Sequence, residues 1–420
     1  MRIVYIFIAY LIAPVVIGAL ALRGFRDPTH WDGFSERFGF GAFVRGKRSI
    51  WVHAVSVGEV QASAPLIEAL LAKFPAIPVV LTTVTPTGRA RARALFKQRV
   101  DVRYVPIDLP GAVWRFFNRV QPHLAVILET EIWPNLYHRC GRLGVPLVLA
   151  SARISPKSVS RYRRLVGLFR ETLSHGIFIA AQSAEDAERF RSIGANAVRT
   201  HVIGNIKFDF GYPPTLPAQG RELRAALFAG RPVWVAGSTH EKEEVLLLDA
   251  HAAIRARFPD ALLVLVPRHP PRFGEVAELL ERRGVPFVTR QSGAAASPDT
   301  QVFLLNTLGE LPPFYAAGDV AFVGGSLVPI GGHNLLEPAA LGLPVVAGPH
   351  NFNSADIARM LVERGAVSIA PDSATVARVV GELLADPAAR ERMGTIGRKA
   401  VDDNRGAVGR LMEFLGPLLP

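Results

Sequence analysis

The chain opens on an unbroken apolar run, after which apolar and polar positions alternate in blocks. Residues 3–22, IVYIFIAYLIAPVVIGALAL, carry no charge over twenty positions. That is long enough to cross the hydrocarbon core of a bilayer as one helix, and Pro14 and Gly18 are tolerated within such helices. From residue 49 onward, short runs rich in Val, Ile and Leu alternate with stretches whose apolar residues recur every three or four positions. The first kind reads as buried strands and the second as helices packed on them. Runs at 50–55, 79–82, 102–106, 124–128, 146–150, 176–180 and 199–203 predict one parallel sheet. Runs at 233–236, 262–266, 285–289, 302–305, 320–323 and 344–347 predict a second. Helices are expected over 60–74 and 241–258, from about 356 and 373, and as one long element over 388–415. The stretch at 213–217, PPTLP, reads as a linker between the two series. Repetition of strand, loop and helix predicts two doubly wound α/β domains, with ligands held at the carboxyl ends of the strands. The expected division is an anchor at 3–22, domains at 23–209 and 219–404, and a terminal helix at 405–420 packing back toward the first domain.

Charge narrows the partners. The formal net charge is +12, which calls for nucleic acid, a phosphorylated substrate or an acidic membrane. A single cysteine, Cys140, rules out a disulfide framework within the chain and fits a reducing compartment. Only Arg2 precedes the apolar run, whereas Arg23, Arg26, Arg37, Arg45, Lys47 and Arg48 follow it. By the positive-inside rule the body then lies in the cytoplasm. Ala19-Leu20-Ala21 resembles a signal-peptide cleavage site. The lone charge before the run and the run's length favour an uncleaved anchor instead. Trp31, Phe34, Phe38, Phe40 and Phe43 interleave with Arg37 and Arg45. This pattern suits either a hydrophobic satellite of the first domain or a belt at the headgroups of anionic lipid. Aromatic residues interleave with basic ones mainly beside the anchor, which favours a membrane surface over nucleic acid.

The loops carry the candidate chemistry. Glu59 stands where a strand gives way to a helix, a place suited to catalysis and also to a carboxylate that merely complements the helix dipole. Glu129 and Glu131 leave a buried strand beside Trp133, an odd choice for structure alone. The helix after Ser155 carries Lys157, Arg161, Arg163, Arg164 and Arg170, either a solvated face or a surface for phosphate or lipid. Gly324, Gly325 and Ser326 end a strand in a loop open to a phosphate, and Gly331-Gly332 leads to Asn334, the expected N-cap of a helix reaching about Leu341. Glu337 in that helix is placed to accept from a sugar diol. His53, His240, His269 and His333 form no His-x-His or His-x-x-x-His pair, so no metal site is expected. Together the loops suggest transfer of a group from a nucleotide-activated donor to an acceptor held at a membrane.

Six segments in this order resemble one family. They are HAVSVGE at 53–59, ETEIWPN at 129–135, GNIKFD at 204–209, GSTH at 237–240, VPRHP at 266–270 and the whole of 322–353. The chain resembles, over essentially its full length, the 3-deoxy-D-manno-octulosonic acid (Kdo) transferases of lipid A and lipopolysaccharide synthesis. That resemblance implies the GT-B glycosyltransferase fold, with two Rossmann-like domains facing a cleft. It implies inverting, metal-independent transfer without a cofactor, from CMP-Kdo to a lipid A precursor at the bacterial inner membrane. By motif, Glu59 resembles the base that takes the acceptor hydroxyl proton, and Glu129 and Lys207 resemble stabilisers of the transition state. Arg268 and His269 resemble phosphate or nucleotide contacts. Leu308, Gly309 and Glu310, with Asn334, Leu335, Leu336 and Glu337, resemble the CMP site, Glu337 facing the ribose. Glu131 is expected in a supporting part. Two alternatives remain at this point: a UDP-sugar transferase of the same fold, and a basic membrane-binding protein without turnover.

Overall fold

Seven apolar runs of the first half pair side by side, every neighbouring pair parallel. The computed structural model describes residues 1–44, 48–163, 166–173 and 176–419. Arg45, Lys47 and Arg164 fall outside the described residues, as does the side chain of Arg161. The strands are β1 Ser49–His53, β2 Val79–Thr83, β3 Asp101–Tyr104, β4 Pro122–Leu128, β5 Leu147–Ala152, β6 Ile177–Ala181 and β7 Thr200–Val202. They lie in the order β3-β2-β1-β4-β5-β6-β7. All residues of β1, β2 and β5 are buried, as a parallel sheet covered on both faces requires. Alternation along β1 sends Ile50 and Val52 to one face and Trp51 to the other. On the first face they meet Leu66 and Leu70 of the helix Val57–Lys73. On the second, Trp51 packs edge-on against Phe116 and Phe117, with ring centroids 5.1 and 5.9 Å away.

The chain's last residues belong to this unit. Met1–Phe210 and Asn404–Pro420 form one compact body, and Gly211–Asp403 forms another. The helix expected over 388–415 is in fact two, Pro387–Asp403 and Ala407–Leu415. The break falls at Gly406, whose φ of +92° suits glycine best. Asp209 fixes the restart: its carboxylate accepts from Gly406 N–H at 2.6 Å and from Val408 N–H. Ala407, Leu411, Met412 and Leu415 then join the apolar layer beneath β1.

The second unit repeats the plan with β8 Val233–Thr239, β9 Leu262–Pro267, β10 Phe287–Thr289, β11 Val302–Leu304, β12 Val320–Val323, β13 Val345–Ala347 and β14 Val367–Ile369. Its order is β10-β11-β9-β8-β12-β13-β14, again parallel throughout. The expected linker at 213–217 is partly helical, because a helix starts at Leu216 with Pro217 in its first turn. In each unit the chain leaves its first strand on one side and later returns to pair with it on the other, β4 beside β1 and β12 beside β8. Ligands of open α/β sheets gather outside the strand ends at such points.

The apolar amino-terminal run is one helix, Arg2–Arg26. The Trp31 ring packs at a tilt against Phe34, and Phe34 against Phe38, with centroids 5.0 and 5.6 Å apart. Arg37 is not a lipid-facing residue. It is buried, donates to Val84 O at 2.8 Å and lies 3.8 Å over the Tyr104 ring. That part of the aromatic segment is a satellite of the first sheet, while Trp31, Phe40 and Phe43 remain exposed.

Candidate active site

At the first switch point, β1 passes through Ala54 and Val55 to Ser56, which caps the helix Val57–Lys73 by accepting from Glu59 N–H. Glu59 answers this bond. Its Oε2 accepts from Val55 N–H at 2.9 Å and its Oε1 from the Ser56 hydroxyl at 3.2 Å. The Ser-x-x-Glu spacing of a capping box thus serves to hold the carboxylate in place. Burial raises the Glu59 pKa to about 7, and the charges of Glu129 and Glu131 push the same way. A helix cap needs no such value; a base working near neutrality does.

Those two neighbours come from the loop that follows β4. Glu129 adopts a left-handed backbone, φ +57°, rare for a side chain other than glycine or asparagine. Its N–H still bonds Ala150 O at 3.0 Å, so the kink begins where the sheet ends. The Glu129 carboxylate meets Lys207 Nζ at 2.6 Å, both side chains about four-fifths covered. Lys207 sits on the short turn Ile206–Asp209, which Asn205 caps by accepting from Lys207 N–H at 2.9 Å. Asn205 is held in turn by Gln182, its amide donating to Gln182 Oε1 at 3.0 Å. Glu131 turns aside to accept from Trp133 Nε1–H at 2.9 Å, and its carbonyl accepts from Tyr137 OH at 2.6 Å. Glu59, Glu129, Lys207 and Glu131 therefore gather at one set of strand ends. Glu131 is tied to its own loop.

The second switch point departs from expectation. Gly324, Gly325 and Ser326 do follow β12, but their N–H groups do not stand open to a phosphate. A carboxylate of the protein already occupies them. Glu243 is fully buried and accepts from Gly325 N–H at 2.7 Å, Ser326 N–H at 3.0 Å and Leu327 N–H at 2.9 Å. A fourth bond comes from His240 N–H at 3.2 Å. Burial raises the Glu243 pKa while these four donors hold it down. Nothing in the spacing of residues 240–244 marks Glu243 off from its neighbours Glu241 and Glu244, so the sequence reading missed it.

Beside that loop three imidazoles meet. His240 and His333 stack with Nε2 atoms 2.7 Å apart, and the His269 ring stands edge-on 5.4 Å from His240. Burial, with Arg268 nearby, lowers the His333 pKa to about 3, and burial lowers those of His240 and His269. The rings are neutral near pH 7, leaving Arg268 and Arg272 as the cations beside them. A Cβ on Gly325 would come within 3.1 Å of His333, and φ there is +68°. Among the described residues no three His, Cys, Asp or Glu side chains are grouped as a metal ion requires.

The remaining predicted positions lie at the ends of β11 and β12. Leu308 is exposed, Gly309 has φ +85°, and Glu310 is bound to Arg290, whose Nη2 reaches its Oε1 at 2.9 Å. The expected helix from Asn334 is only the five residues Leu336–Ala340. Asn334 accepts from Leu336 N–H at 3.1 Å and donates to Glu337 Oε1 at 3.1 Å, which aims the half-buried Glu337. Leu335 and Leu336 are core residues, so only their backbone is offered to a ligand.

Residues 32–210 match the family model of 3-deoxy-D-manno-octulosonic-acid transferases, and residues 233–400 that of group 1 glycosyl transferases. A 3-deoxy-D-manno-octulosonic acid transferase of Haemophilus influenzae is 38% identical over 421 aligned positions, covering 100% of this chain and 99% of the relative. Its counterpart in Bordetella pertussis is 39% identical, with 96% of each chain covered. Anabaena HepE in complex with UDP and glucose superposes with a TM-score of 0.53 at 19% identity, covering 88% of this chain and 99% of that one, a likeness of fold.

Proposed function

The chain belongs to the 3-deoxy-D-manno-octulosonic acid transferases, and from that premise we propose that it moves Kdo from CMP-Kdo to a hydroxyl of a lipid A precursor. The transfer takes place at the cytoplasmic face of the bacterial inner membrane, with inversion and without a metal ion. Membership in this family sets aside both the UDP-sugar transferase and the binding protein without turnover.

The observation that carries the residue roles is the pairing of a carboxyl raised to about 7 with an ion pair on the adjoining strand end. Glu59 takes the proton from the acceptor hydroxyl as that oxygen bonds to the anomeric carbon. The bond from that carbon to the CMP phosphate breaks on the opposite face. Positive charge grows on the sugar as the leaving group departs. The Glu129 carboxylate offsets that charge, and Lys207 meets the negative charge on the donor's carboxylate or the departing phosphate. In the second unit Arg268 and His269 hold the CMP phosphate. The backbone of Leu308, Gly309, Leu335 and Leu336, with Asn334, frames the nucleoside. Glu337 accepts from the ribose hydroxyls, and Glu310, braced by Arg290, fixes its loop. CMP carries a single phosphate, so one arginine and neutral donors suffice where a diphosphate would demand more.

Purified protein in detergent, given CMP-Kdo and tetraacylated lipid A precursor in excess chelator, should release CMP and add whole Kdo units to the lipid's mass. Release of CMP without a gain in lipid mass would refute the acceptor. Activity that returns only with a divalent ion would refute the metal-free transfer.

A further inference from the structure

The amino-terminal helix is long and apolar enough to cross a membrane. A crossing helix that leads into a folded domain touches that domain only at its last turns. Its first turn would lie about 30 Å away, beyond the hydrocarbon core.

This helix touches the first unit at both ends, through Arg2 and Tyr5 in its first turn and through Gly24 in its last. Tyr5, Ala9, Ala13, Ile17, Leu20 and Gly24 are all buried or partly covered. They recur every three or four residues and so form one stripe. Gly24 lies against the Trp31 ring, where a Cβ would come within 2.5 Å. The opposite stripe, Ile3, Phe7, Leu11, Val15, Leu22 and Phe25, is at least 66% exposed at every position. The first turn is tied down by polar bonds as well. Tyr5 OH donates to Asp108 Oδ2 at 2.8 Å, and Arg2 Nη1 reaches Asn135 Oδ1 at 3.5 Å. Asp108 is itself buried and accepts from the N–H groups of Asn135 and Leu136 at 3.0 and 2.9 Å. It thereby caps the helix Pro134–Leu143, which follows directly from the Glu129–Trp133 loop.

We infer that the amino-terminal helix lies along the bilayer surface, both ends on the domain's side, its inner stripe on the first unit and its outer stripe in lipid. The outer stripe commits it to hydrocarbon: six large apolar side chains over about 37 Å of helix, with no charged residue between positions 3 and 22. Arg2 then shares a side with Arg23 and Arg26, unlike the crossing expected from hydropathy and charge bias. The contact through Asp108 also places the Glu129–Trp133 loop beside the membrane surface, where a lipid acceptor presents its headgroup.

The test places the photo-cross-linking residue p-benzoylphenylalanine in the full-length protein in native membranes, at Tyr5 and Ile17 of the inner stripe and at Phe7 and Val15 of the outer. After illumination, cross-linked peptides are mapped by mass spectrometry. The expected result is cross-linking of positions 5 and 17 to the first unit, position 5 within residues 105–137, with positions 7 and 15 giving lipid adducts alone. Lipid adducts at all four positions, with none to the first unit from position 5, would overturn the inference. A second measurement labels Arg2→Cys, off the lipid-facing stripe at the polar start of the helix, with a membrane-impermeant maleimide; Cys140 is fully buried and silent. Reaction from the cytoplasmic face, in inverted vesicles, is expected, and reaction from the periplasmic face would overturn the inference. Neither readout needs turnover, so the result is separate from the assignment of Kdo transfer.

Discussion

Glu59 is held in a form costly to the folded protein and useful to the reaction. Its pKa is about 7 when folded, against 4.5 for an ordinary glutamate. Ionisation between those values is therefore easier in the unfolded chain, and stability falls as pH rises from 4.5 to 7. Above pH 7 the cost is fully present. Glu59→Gln should then melt at a higher temperature than the parent at pH 8 and about equally at pH 4.5, while losing about 10²–10⁴-fold in transfer rate. Thermal melts and rates at both pH values check this, and CMP binding should be unchanged. In the parent, kcat/KM should rise with pH and level off above about 7. A second residue-scale prediction concerns the pair Glu129 and Lys207, 2.6 Å apart. Glu129→Gln and Lys207→Met should each cut the rate severely. The double variant should be much less impaired than the product of the two, because residues acting as a unit are not additive. The position of Glu59 and Glu129 at strand ends was legible, since each follows an apolar strand, whereas the roles proposed for them came from the resemblance and not from that placement. Glu243 was not legible, because its role depends on backbone N–H groups more than eighty positions away.

At the scale of elements, the glycine loop after β12 is shaped from within. Three successive N–H groups on one buried carboxylate fix its path. That path keeps Gly325 against the stacked pair of His240 and His333. Glu243→Gln replaces an acceptor oxygen by a donor that faces N–H groups. It should cost about 1–3 kcal/mol of stability in the second unit and weaken CMP binding, read by denaturant melts and by titration with CMP. Strands with continuous apolar runs, such as β1, β4 and β12, were legible because burial on both faces leaves no polar alternation to confuse the pattern. β14 was missed because Ser368 interrupts its apolar run and only Val367 of its three residues is buried. The division of the last helical stretch was missed for another reason. Val401 and Val408 stand seven positions apart, in helical register across a polar gap, and what stops the helix is a left-handed Gly406 and the distant Asp209.

For the whole molecule, the two-fold repetition of doubly wound sheets was readable from the alternation of runs, and the candidate residues follow strands of both sheets. The return of residues 404–420 to the first unit has an energetic signature. Leu411 is wholly buried beneath β1. Leu411→Ala should cost about 2–5 kcal/mol, and the loss should appear in the melting of the first unit, followed by hydrogen exchange at β1 and β2. The same return bears on synthesis. A ribosome finishes β1–β7 well before it makes the helix that completes their core, and 193 residues, Gly211–Asp403, come between. At about 5–20 residues per second the nascent first unit waits about 10–40 s with an apolar layer uncovered, and through that interval it is a client for chaperones.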